Sequence, residues 1–136
     1  MDANVLFSAA ITPEGRTRAI FELADQSERR VTLLVTGYVL REARTNLERK
    51  SPSHLPELDA LMEDVTIVGE PSARLVEQLA PLVPDPRDAP ILAGAVAGEA
   101  QLLVTGNEKH FRELYGKEVR GVLVVSPRQA LDLLTP

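Results

Sequence analysis

The sequence predicts an α/β fold, with a central parallel sheet of four to five strands and helices on both faces. Three observations predict it. Short runs rich in Val, Ile and Leu alternate with stretches of helical period. The runs lack an apolar–polar alternation, as strands buried on both faces require. Finally, 136 residues suffice for one domain with a substantial core and are short for two, so a single domain over residues 1–136 is expected.

"VTLLV" (31–35), "VTIV" (65–68), "LLVT" (102–105) and "VLVV" (122–125) each read as a buried parallel strand. A fifth strand is suspected at the start, where "MDANVLFSA" sets Asp2 directly ahead of an apolar run. Between the strands, "GRTRAIFELADQSE" (15–28) lines up Ala19, Ile20, Leu23 and Ala24 on one helical stripe, and "YVLREARTNLERK" (38–50) does the same with Val39, Leu40, Ala43 and Leu47. Further helices are expected near 54–63, 72–82, 89–99, 107–115 and 127–134. Five of the ten prolines fall in "PSARLVEQLAPLVPDPRDAP". There Pro84 and Pro86 end one helix and Asp88 is placed to cap the next.

Composition narrows the chemistry. With no Cys, zinc-thiolate sites and thiol nucleophiles are excluded, and with two His a metal would be held mainly by oxygen. A net charge of -5 argues against a protein that coats phosphate with its whole surface, but leaves room for a local basic patch. No apolar run approaches the roughly 20 residues of a membrane span, no signal-like segment is evident, and a cytoplasmic location is expected. A Gly-rich phosphate loop is absent from the sequence.

In an open parallel sheet, ligands bind beyond the carboxyl ends of the strands, so polar residues that follow apolar runs carry the information. "MDAN", "TGYVLRE" and "TGNEKHF" meet that test. Asp88 reaches the same region from a helix start whose next turn, Ile91 and Leu92, faces the core. Glu42 borders its helix's apolar stripe, one turn after Val39 and one before Asn46. Asp2, Glu42 and Asp88 are therefore expected to converge. Two carboxylates about 4 Å apart repel by roughly 4 kcal/mol at an effective dielectric near 20. A hard divalent cation, Mg2+ or Mn2+, is the natural remedy with oxygen ligands. Such a metal site can activate water against a phosphodiester.

These residues resemble the PIN-domain family of metal-dependent ribonucleases, through "DANVLFSA", "YVLREAR", "PDPRDAPILAGAV" and "LLVTGNEKHF", four segments in the family's order spanning most of the chain. The resemblance is greatest to the bacterial and archaeal branch that contains VapC-like toxin components of toxin–antitoxin pairs. It implies a PIN-like three-layer α/β/α fold, RNA hydrolysis with water as the attacking group, and Asp2, Glu42 and Asp88 as acidic metal-site positions, with Asn4 and Thr105 as supporting polar groups. It also implies an antitoxin partner and a homodimer, with the 37–63 helices as candidate surface. Ser8 is a further candidate supporting residue.

Two departures stand out. Many relatives carry aspartate after "TG", where this chain has Asn107, which offers a carbonyl oxygen without charge and so weakens the metal shell. Relatives also carry several apolar residues ahead of the first aspartate, and here there is Met1 alone. A start placed upstream of Met1 is expected in preference to a first strand rebuilt from residues 3–7, because a frayed terminus would anchor Asp2 poorly.

The blander readings are definite. Asp88 can simply cap its helix, Glu42 can be a solvated helix charge, Asp85 reads as a turn residue with a supporting role as its alternative, and His54 and His110 read as flanking histidines. Tyr38, Phe111 and Tyr115 read as packing residues. Arg41, Arg44, Arg87, Lys109 and Arg112 gather near the expected mouth as candidate phosphate contacts, with scattered surface charge as the plainer alternative. The leading expectation is a Mg2+- or Mn2+-dependent endoribonuclease. The alternative is a catalytically degenerate PIN domain that binds RNA or a protein partner. A phosphotransfer receiver is disfavoured, since no lysine follows a late strand where that chemistry needs one.

Overall fold

The computed structural model describes residues 1–26 and 31–135. In chain order these form α1 (Ala3–Ile11), α2 (Arg16–Gln26), β1 (Leu33–Thr36), α3 (Gly37–Lys50), α4 (Leu55–Met62), β2 (Val65–Val68), α5 (Ala73–Leu79), α6 (Ala89–Ala97), β3 (Leu102–Val104), α7 (Glu108–Phe111), β4 (Glu118–Val119), β5 (Val122–Val125) and α8 (Pro127–Leu134). The four apolar runs are the four parallel strands and every expected helix is present, but β2, expected to be buried, is an edge strand with no buried residue, its Ile67 57% exposed. Two of those helices are partly 3-10: residues 80–82 continue α5, and residues 112–114 continue α7. Ser27 and Glu28, expected to end the second helix, lie outside the described residues.

The strands do not build one central sheet. Among the described residues β1 and β2 pair in parallel, Leu33 opposite Val65 and Thr36 opposite Val68, as a sheet of two. A second sheet has the order β3-β5-β4, with β3 and β5 parallel and the short β4 antiparallel to β5. β4 was not expected: Glu118 and Val119 are joined to β5 through a turn in which Gly121 adopts a positive φ of 85°, and two residues leave no periodicity to read.

A first strand built from residues 3–7 is corrected by α1. Asp2 ends the extended chain and its side chain accepts a hydrogen bond from Ala3 N at 2.7 Å, the signature of an N-cap. Val5, Leu6, Ala9 and Ala10 then bury together at helical spacing. α1 packs against α2, α3 and α4. Among the described residues, Met1 and Asp2 reach both sheets: Met1 N donates to Leu34 O at 2.9 Å, and Asp2 N donates to Val104 O at 3.0 Å.

α6 crosses the end of β1 closely enough to need glycine. A Cβ at Gly94 would lie 2.9 Å from Thr36 Cγ2. The threonine cannot turn away freely, because its Oγ1 accepts from Val39 N at 3.2 Å and so caps α3. Gly94→Ala is therefore expected to lower stability by about 1–3 kcal/mol, as overpacking does, despite alanine's better helix propensity. Urea denaturation checks it, and an unchanged or raised midpoint would show that the crossing has slack.

Candidate metal centre in an acidic cleft

A cavity of about 780 Å3 opens where the ends of α1, α3, α6 and the β3–α7 loop meet. Asp2, Asn4, Arg41, Glu42, Arg87, Asp88 and Asn107 all line it, so seven residues singled out from the sequence share one cleft. Ser8, Arg44, Lys109 and Arg112 do not line it. Arg44 instead pairs with Asp59 at 2.5 Å. Lys109 and Arg112 are exposed.

Each side chain is placed by its own element. α3 contributes Tyr38, Arg41, Glu42, Thr45 and Asn46, the i, i+3, i+4, i+7, i+8 stripe of one helix face, beside the buried stripe of Val39, Ala43 and Leu47. Asp2 is 7% exposed. Its second carboxylate oxygen accepts from the fully buried Thr105 Oγ1 at 2.7 Å. Thr105 is steadied in turn, since its carbonyl accepts from Tyr115 Oη at 2.7 Å. Asn4 Oδ1 accepts from Gly106 N at 3.0 Å and ties α1 to the β3–α7 loop.

Asp88 precedes α6 but makes no side-chain cap. The capping in this loop falls to Asp85, whose Oδ1 accepts from Arg87 N at 3.0 Å. The Asp88 carboxylate is thereby left for the cleft, where its Oδ2 lies 2.7 Å from His110 Nδ1. The two buried atoms form an ion pair once the histidine is protonated, and neither has a further partner. A hard oxygen and an imidazole nitrogen held this close also suit a shared cation. Among the described residues, Asp85, Asp88 and His110 bring ligand atoms within 4.8 Å of one another. Asp2, Glu42 and Asp88 share the cleft without forming so tight a group.

Electrostatics separates these carboxylates. Asp85 is half-buried and held by the exposed Arg87 through Nη2 at 2.7 Å, and its carboxyl falls to about 2 because Arg87 donates to it from side chain and backbone. Its charge is met locally. Glu42 is pushed above the ordinary carboxylate range by burial and by the Asp2 charge, against a hydrogen bond from Tyr38. Asp88 is pushed up by burial, against His110, with Asp85 and Asp2 adding to the rise. The Tyr38 hydroxyl is raised by burial and by Glu42. These oxygens fit a divalent cation: they are hard donors, clustered, and short of positive charge.

Asn107 is partly committed elsewhere. Its Oδ1 accepts from His110 N at 3.4 Å and caps α7. His110 and Tyr38 were read from the sequence as a flanking histidine and a packing residue, yet both line the cleft. The signal for Tyr38 was its i, i+4 spacing from Glu42. For His110 there was no local signal, because its partner Asp88 is distant in sequence.

An α/β protein whose strand and helix ends carry a carboxylate-lined cleft belongs to the class in which the site sits on the topological edge of the sheet. The chain belongs to the PIN domain family, whose model matches residues 1–109 and so takes in every cleft residue but His110. No curated protein matches it. PIN domains are in general nucleases.

The raised carboxylates have a thermodynamic consequence. Glu42 binds protons more readily in the folded chain than at its ordinary 4.5, so stability falls as pH rises through that window and the penalty is complete at neutral pH. In metal-free protein, Glu42→Gln is expected to raise the melting temperature at pH 7, with the gain vanishing as pH drops below the ordinary glutamate value. A drop in melting temperature at pH 7 would show that the charged group is compensated.

Proposed function

We propose that the chain is a Mg2+- or Mn2+-dependent endoribonuclease, one PIN domain over residues 1–136, of the VapC-like toxin branch. The observation that carries this reading is charge without compensation: Glu42 and Asp88 are raised by burial and by each other's neighbours while Asp2 sits buried in the same cleft. Family membership supports nuclease chemistry.

In this reading Asp2, Glu42 and Asp88 present the oxygen donors, and His110 stands beside Asp88 as a further donor that the sequence did not reveal. Thr105 holds Asp2 in one orientation, as partners behind the ligands of a metal site do. A divalent ion would supply the charge that activates the attacking water and steadies the phosphodiester. Asp85 takes a supporting part, keeping Arg87 at the rim. Arg41 and Arg87 receive phosphates of the RNA. An antitoxin protein and a second copy packed on the 37–63 helices complete the proposed set of partners.

Purified protein with Mn2+ is expected to cleave single-stranded RNA, and Asp88→Asn to lose at least about 100-fold, the upper end of what partners behind a metal ligand cost. Cleavage that survives both Asp88→Asn and chelation would assign the activity elsewhere. A second reading, binding without cleavage, is favoured by one observation, the engagement of Asn107 Oδ1 in the α7 cap. Asn107→Asp keeps a good capping residue while adding charge. It is expected to tighten Mn2+ binding by calorimetry, and unchanged affinity would place residue 107 outside the shell.

A further inference from the structure

Tyr38 is set apart from the other aromatic side chains. Of the three Phe and two Tyr it is the one left exposed, at 42%. Phe21 and Phe111 lie in the core, and Tyr115 donates its hydroxyl to Thr105 O. The fold fixes Tyr38 at both ends. β1 and β2 run parallel with Thr36 opposite Val68, so the chain leaves both strands at the same edge and Glu70 reaches the first turn of α3. There Glu70 Oε1 accepts from Tyr38 N at 2.8 Å, while Thr36 Oγ1 accepts from Val39 N at 3.2 Å. At its tip the Tyr38 hydroxyl donates to the Glu42 carboxylate, one turn along the same helix.

A ring held at root and tip loses little conformational freedom when a ligand lies against it. This ring lines the acidic cleft, and so does its neighbour one turn on, Arg41. The two arginines of the cleft differ. Arg87 is engaged by Asp85, whereas Arg41 makes no ion pair among the described residues. Tyr38, Arg41 and Glu42 thus set an aromatic surface, an uncommitted cation and a carboxylate of the cleft side by side on one helix face. A nucleotide presents the matching set, a flat base and an anionic phosphate joined through one sugar. An exposed tyrosine alone would suit a protein partner equally well, and Arg41 beside it is what favours a nucleic acid.

We propose that Tyr38 is a base-stacking platform: one unpaired base of the RNA lies on its ring, the phosphate beside that base meets Arg41, and the strand is thereby led to the Asp2, Glu42 and Asp88 carboxylates. This rests on the nuclease reading above and adds to it the residue that selects the form of the substrate. In a duplex the faces of each base are covered by its neighbours, so the platform admits only a strand whose base is splayed out. It is tolerant of sequence, because every base has a π face. The hydroxyl tie to Glu42 couples the occupied ring to the carboxylate it positions.

The test measures binding of uridine pentamers that carry the fluorescent base 2-aminopurine at each position in turn, in Ca2+, a hard ion that takes oxygen ligands as Mg2+ does. At one position the emission is expected to be quenched on binding, by the unmodified chain and by Tyr38→Phe, which keeps the ring, but not by Tyr38→Leu. Tyr38→Leu should weaken that pentamer about 10-fold, the scale of one stacked base. A pentamer abasic at the same position should lose about as much on the unmodified chain, and should lose nothing more on Tyr38→Leu. Should Tyr38→Leu not fold, the abasic comparison on the unmodified chain and on Tyr38→Phe decides. The platform is overturned by equal affinity of Tyr38→Leu, by a loss in Tyr38→Phe as large as that in Tyr38→Leu, or by undiminished binding of every abasic pentamer. A change in the oligomeric state of the RNA-free chain on Tyr38→Leu would give the ring to a second copy and also overturn it. Failure of the nuclease reading looks different: quenching that depends on Tyr38, with no cleavage in Mn2+, upholds the platform and leaves a domain that binds RNA without cutting it.

Discussion

Two backbone hydrogen bonds carry the architecture. Met1 N to Leu34 O and Asp2 N to Val104 O are the hydrogen bonds through which the first residues reach both sheets. They also fix where α1 begins, because Asp2 turns from extended chain to helix cap within one residue. The position of the Asp2 carboxylate thus depends on the junction, with Thr105 Oγ1 holding its Oδ2 and Ala3 N its Oδ1. A shift between the sheets would be felt first at the cleft.

Much of this was legible in the sequence, for identifiable reasons. The runs of β1, β3 and β5 could be placed because buried strands leave uninterrupted Val, Ile and Leu, β2 showed the same composition although it is a partly exposed edge, and α3 could be placed because a two-sided stripe survives in its spacing. Asp2, Glu42 and Asp88 could be assigned to one region from the rule that sites gather beyond strand ends. What escaped was either non-local or too short. The pairings of β1 with β2 and of β3 with β5 join segments distant in sequence, which no local pattern records. Residues 3–7 misled because Val5, Leu6 and Phe7 form an apolar run that either period can use, and the arbiter was the cap at Asp2. His110 gains its meaning from Asp88, which is free because α6 begins without a side-chain cap, Asp85 capping the 3-10 turn at 86–88 instead.

The pair Asp85 and Asp88 shows how one loop handles two like charges differently. Arg87 lies across Asp85 with four donated hydrogen bonds, from its backbone N, Nε twice and Nη2, and settles that charge at the surface. Asp88, three residues on, is turned inward to His110, whose Nδ1 lies 2.7 Å from its Oδ2. One carboxylate thereby secures the loop, and the other is held in reserve for the cleft. The same division appears on α3, where Arg44 is spent on Asp59 while Arg41 faces the cleft one turn earlier.

The starts of α1, α3 and α6 all border the cleft, through Asp2, Tyr38 and Asp88. Aligned peptide dipoles leave roughly half a positive charge at each such end. The carboxylates therefore sit in a field less negative than their number suggests, and the backbone itself offsets part of their repulsion. The first amides of α1 and α3 are already engaged, Ala3 N by Asp2, Tyr38 N by Glu70 and Val39 N by Thr36, so these ends act on the opening through their field rather than through free donors.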